Sequence, residues 1–130
     1  MKLLAYEVDK RSFLGIFNED ETWVYPISAA GMEYRSMKDL IREAGPSEME
    51  MLDYISKKAP GDVTGAAPVE EIKIVSPIPE PDQDIICLGI NYMDHAAESA
   101  RFQKEEFARP EKAIYFSKRV NRTNDPDGII

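Results

Sequence analysis

His95 is the single histidine of this 130-residue chain, and Glu98 stands three positions after it. The run Asp84-Ile85-Ile86-Cys87-Leu88-Gly89-Ile90-Asn91-Tyr92-Met93-Asp94-His95-Ala96-Ala97-Glu98 reads as an apolar strand, a glycine turn and a polar helix start. Residues at i and i+3 share a helix face, so the imidazole and the carboxylate point into one space. A carboxylate beside an imidazole fixes its tautomer and raises its basicity, as a general base near neutral pH requires. Strand-to-helix turns at the carboxyl ends of strands are common places for such sites. His-x-x-Glu is nonetheless a short pattern. A surface histidine satisfied by a helix-start carboxylate has the same spacing. Asp94, in the first helical turn, is explained by the helix dipole alone.

The segment I-C-L-G-I-N-Y-M-D-H-A-A-E-S, followed by P-E-K-A-I-Y-F-S-K at residues 110–118, resembles the opening of the catalytic domain of the fumarylacetoacetate hydrolase family. The positions carrying the resemblance are Gly89, Asn91, Tyr92, His95, Ala96 and Glu98, then Pro110, Phe116 and Lys118. It covers residues 84–118 by motif, and the preceding residues by layout only. The resemblance implies an enzyme of small oxo-acids, such as those of aromatic catabolism. Its reaction would be carbon–carbon hydrolysis of acylpyruvate or β-diketo acids, or isomerisation, hydration or decarboxylation of related compounds. It also implies His95 as the base that activates water, Glu98 as the residue that orients and charges it, and Lys118 facing an oxyanion or a substrate carboxylate. A solvated lysine at a strand end is an equal reading of Lys118. The family is commonly dimeric, so a homodimer is expected.

The elements that must position these residues read as α+β. Leu3–Val8, Phe13–Phe17 and Thr22–Ile27 are expected as strands of a small mixed sheet, with Asn18–Glu21 a polar hairpin connection. Trp23 reads as core or cross-strand packing. Ser36 precedes the stripe Met37, Leu40, Ile41 and Ala44, and Gly45-Pro46 stops that helix. Ser47 with Glu50 forms a capping-box signature for a second helix carrying Met51, Leu52 and Ile55, and its methionines read as gap-filling core. Residues 61–68 read as a loop and Val69–Val75 as a strand. The prolines of Ser76-Pro77-Ile78-Pro79-Glu80-Pro81-Asp82 remove backbone donors and favour an extended connector. The expected organisation is an accessory domain over 1–76, a proline-rich linker over 77–83, and over 84–130 the start of a β-rich catalytic domain. Within the last, a helix from Asn91 or Tyr92 to Phe102, a loop over 103–110 and a strand Ala113–Lys118 are expected. The tail Arg122–Ile130 reads as the lead-in to a further strand, so the chain is expected to be an incomplete, N-terminal piece of a longer enzyme and inactive by itself.

Composition sets the remaining bounds. Apolar residues make up 43% and charged residues 31%, the balance of a soluble globular protein. A net charge of -8 leaves no basic surplus for nucleic-acid phosphates. No stretch approaches the roughly 18 apolar residues of a membrane span. The start of the chain turns acidic too soon for a signal peptide. Cys87, the single cysteine, sits in an apolar strand and reads as a buried thiol in a reducing compartment, hence a cytoplasmic protein.

The resemblance implies a divalent cation, Mg²⁺ or Mn²⁺ and in some members Ca²⁺, held by a Glu-x-Glu pair and a later Asp. A hard cation needs several converging oxygens. After the dyad this chain offers Glu105, Glu106, Glu111, Asp125 and Asp127, none in that pattern, and Asn124-Asp125-Pro126-Asp127-Gly128 reads as a turn that needs no ion. No metal ligand is assigned within the chain. The alternative to an enzyme is a non-catalytic relative serving as a binding or oligomerisation module.

Overall fold

Asp9 and Lys10 both adopt left-handed backbone, with φ of 48° and 64°. Two such residues in succession make the tight turn whose twist matches a hairpin. It joins β1 (Leu3–Val8) to β2 (Arg11–Phe17), paired from Val8↔Arg11 to Leu3↔Ile16. A second hairpin leads to β3 (Trp23–Pro26), and here the polar residues form the turn. The Asn18 side-chain oxygen accepts from the Thr22 and Trp23 amides at 3.0 and 2.9 Å. The computed structural model describes residues 1–89 and 112–129. The chain forms two units, Met1–Pro79 with Thr123–Ile130, and Glu80–Arg122.

In the first unit β4 (Ala67–Pro68) pairs with β3, and β5 (Lys73–Val75) pairs with β1. The resulting five-stranded sheet has the order β4-β3-β2-β1-β5. The α+β class is as the sequence indicates, while every pairing is antiparallel where a mixed sheet is expected. Val69–Val75 is not one strand. Pro68, at φ -60° and ψ 143°, starts a 3-10 turn over Val69–Glu71, which delays the strand to Lys73.

Side chains alternate across a strand, so the apolar runs of β1–β3 supply both faces of the sheet. One face gives Ile16 and Tyr25, with Leu3, Leu14 and Trp23 packed around them, to a core completed by Met37, Leu40, Leu52, Ile55 and Val63. The other gives Leu4, Tyr6 and Val24, which pack with Val69, Ile72 and Ile74. Trp23 is therefore a packing residue, as expected. Gly15 belongs to the second face because a Cβ there would lie 2.8 Å from the Tyr6 ring and 2.9 Å from the Tyr25 carbonyl. Tyr25 is fully buried, and its hydroxyl donates to the Lys58 carbonyl at 2.8 Å. Burial, ahead of charge effects, raises its pKa.

Helix α1 (Met37–Glu43) starts as the sequence indicates, with the Ser36 hydroxyl accepting from the Asp39 amide. Helix α2 (Pro46–Ser56) starts two residues earlier than the Ser47/Glu50 signature implies. Pro46 occupies the first helical position, where a missing N–H costs nothing. Glu48 then accepts from the Gly45 amide at 2.7 Å. Ile41 and Met51, expected on the buried stripes, are 62% and 46% exposed. Short helices lying on a sheet bury a face narrower than the full apolar stripe, and here Met37, Leu40, Leu52 and Ile55 fill it.

Glu48 also accepts from the Tyr34 hydroxyl at 2.5 Å. That bond pushes the Tyr34 phenol up to about 12 and, with the Gly45 N–H second, holds the Glu48 carboxyl below its usual value. What Glu48 adds to stability is present above the unfolded carboxylate's titration and is lost as pH falls through its lower folded value. Tyr34's share is present below its unfolded pKa and is lost as pH rises through about 12. Glu48→Gln should bring the Tyr34 phenolate absorbance midpoint down toward its ordinary 10.0. An unchanged midpoint would show that this pair does not set it.

The residues Thr123–Ile129 form a turn and no strand, and the strand they were expected to lead into is not tested by the described residues. They turn back on themselves, with Gly128 N–H donating to the Asp125 carbonyl at 2.9 Å and the Asn124 amide donating to the Ile129 carbonyl at 3.0 Å. The Asp125 carboxylate accepts from Lys73 at 3.0 Å and from the Ser76 amide at 2.9 Å. The turn's own hydrogen bonds thus account for its shape, as its residue types suggest.

Candidate functional site

The second unit is built on two strands, β6 (Ile85–Leu88) and β7 (Tyr115–Lys118), paired antiparallel from Ile85↔Lys118 to Leu88↔Tyr115. Beyond Leu88 the pairing continues for one more step, Gly89 N–H donating to the Ile114 carbonyl at 2.8 Å. Chain reversal brings Ile114 within 3.4 Å of where a Gly89 Cβ would be, close but ordinary contact. Gly89 therefore stands at the end of the ribbon from which the His95 segment leaves. His95, Glu98, the expected helix 91–102, Asp94, Glu105, Glu106 and Glu111 lie outside the described residues.

Paired residues share a face, so Ile85, Cys87, Phe116 and Lys118 lie on one side and Ile86, Leu88, Tyr115 and Ser117 on the other. Large apolar side chains are exposed on both faces. Ile86 is 74% exposed and Tyr115 66%. Cys87, expected as a buried thiol, is only half-buried. The strand is as apolar as a buried one, but among the described residues no second layer covers it. Lys118 is exposed and has no ion-pair partner among the described residues. It is the β7 residue farthest from Gly89, by roughly 13 Å at the usual strand rise.

Among the described residues no group of three or more His, Cys, Asp or Glu side chains could hold a metal ion. They do not fit the cation the resemblance implies. Asp125 instead serves Lys73 and Ser76. In the first unit a cleft of about 580 Å³ is lined by the apolar Tyr6, Val8, Phe13, Pro26 and Ala67 together with Asp9 and Arg11. The Tyr6 and Phe13 rings stack with centroids 5.6 Å apart. Sequence reading missed this cleft, because its lining comes from four strands and the segments between them, which no local pattern joins. No described helix is long and apolar enough to cross a membrane.

No family model matches this chain. Over 128 residues it is 40% identical to oxaloacetate tautomerase YisK of Bacillus subtilis (strain 168). That alignment takes in 91% of this chain and 41% of the relative's length. A span covering 91% of the chain necessarily includes residues 95–98.

Proposed function

We propose that this chain carries the base-bearing part of an enzyme that converts small oxo-acids, and that its reaction is keto–enol tautomerisation ahead of carbon–carbon hydrolysis. The observation that carries this is the 40% identity, across nearly the whole chain, to a protein named as an oxaloacetate tautomerase. In such a tautomerisation a base takes a proton from the carbon beside the carbonyl, and a proton is delivered to the carbonyl oxygen. One C–H bond breaks, one O–H bond forms, and no water is consumed. His95 is the proposed proton acceptor, and Glu98 holds the imidazole in the basic tautomer. Hydrolysis would ask the same pair to deprotonate water instead. Lys118 is the proposed partner of a substrate carboxylate. A divalent cation, Mg²⁺, Mn²⁺ or Ca²⁺, belongs to the proposal as a group held by residues outside this chain, and no step is derived through it.

A second reading, a non-catalytic binding or oligomerisation module, is favoured by the large apolar side chains exposed on both faces of the β6–β7 ribbon. One experiment separates the two. Purified full-length protein carrying this chain is mixed with oxaloacetate while enol absorbance is followed, and with an acylpyruvate while cleavage products are measured, each with added divalent ion and again after chelation. Faster enol–keto exchange without cleavage is the expected result. Cleavage would move the assignment to hydrolysis, and no acceleration under any condition would favour the module, a homodimer in the first instance.

A further inference from the structure

Within the first unit, two segments far apart in the chain are hydrogen-bonded to each other. Pro79 accepts from the Thr123 amide at 2.9 Å. The Thr123 hydroxyl donates to the Ile78 carbonyl at 2.8 Å. It has one hydrogen to give, so the Ser76 hydroxyl, 2.5 Å away, must be the donor to it. Ser76 is itself buried, and its amide donates to Asp125 at 2.9 Å. The second Asp125 oxygen accepts from Lys73 on the edge strand β5 at 3.0 Å. These bonds join residues 73–79 to residues 123–125.

We propose that Lys73, Ser76, Thr123 and Asp125 form one cooperative clasp between residues 73–79 and 123–125 of the first unit, with Thr123 and Asp125 as its closing residues. Two features favour a single device over scattered contacts. Ser76 sits in the middle and spends its hydroxyl on Thr123 and its amide on Asp125, so losing either partner leaves a buried polar group unsatisfied. Asp125 also covers the amide that follows β5 on the open edge of the sheet, a place that otherwise invites mispairing. The clasp stands independently of the reaction assigned to His95.

Amide hydrogen exchange on the whole 130-residue protein tests this. Asp125→Ala should speed exchange at the Ser76 amide and also at the Thr123 amide, whose own acceptor is untouched, by on the order of tenfold each. Amides shared between β1 and β2 should keep their wild-type rates. Thr123→Val should release the Ser76 amide although its partner Asp125 remains, and Thr123→Ser should restore protection. If each substitution frees only the amide it directly touches, the contacts are separate and the proposal falls. It falls equally if β1–β2 amides speed up in parallel, since that is general loss of stability. Should Asp125→Ala fail to fold, Asp125→Asn, which keeps an oxygen for Ser76 but loses the charge facing Lys73, decides together with the two Thr123 variants.

Discussion

Turnover of the oxo-acid should fall by about 10²–10⁴-fold when His95 is replaced by alanine, with a much smaller change in KM. A positioned general base acts in the transition state, so its loss appears in kcat. Glu98→Gln should cost less, because the imidazole remains and only its orienting charge is gone. It should also move the acidic limb of the kcat/KM profile to lower pH. A neighbouring carboxylate favours the protonated imidazole and raises its pKa, and removing the carboxylate lets that value fall. Both profiles can be read from oxaloacetate enol absorbance. Wild-type turnover in the His95 variant would remove the assignment of the base. An unshifted limb in the Glu98 variant would separate Glu98 from His95.

The largest stability effect should come from Leu52→Ala. Leu52 is fully buried in α2 and belongs to the core that joins both helices to the Ile16–Tyr25 face of the sheet. Truncating such a leucine removes its transfer free energy and leaves a cavity, a loss of about 2–5 kcal/mol. Against a total of about 5–15 kcal/mol for an ordinary domain, that is a large fraction. Urea unfolding should show a lower midpoint at unchanged slope. Ile41→Ala is the control, since Ile41 is 62% exposed and should shift stability by no more than about 0.5 kcal/mol. Equal effects at the two positions would mean that the helices do not rest on the sheet through Leu52.

The strands and helices of the first unit were legible because their signals are local. Alternating and continuous apolar runs marked β1 to β3, a serine cap marked α1, and Asn18 marked its hairpin. Local signals misled where two of them competed. Ser47 and Glu50 match a capping box, yet Pro46 is better placed as the first residue of α2 and Glu48 reaches back to Gly45. Val69–Val75 has a strand's composition, but the fixed dihedral of Pro68 bends its first half into a turn. Cys87 illustrates a different failure. Its neighbours have the apolarity of a buried strand, and burial depends on what is packed above them, which no run of residues encodes.

By itself, the order of residues indicated the α+β class, the approximate extent of most elements, and a family resemblance whose His95–Glu98 pair lies outside the described residues. All of these rest on properties of near neighbours: side-chain period, caps, turns and motif spacing. Folding in three dimensions decided the rest. It set which strand lies at each edge, which apolar positions are buried on either face of the sheet, and that Asp125 meets Lys73 across a long separation in the chain. Those outcomes depend on contacts between distant segments, each formed only when several others already hold the segments in place.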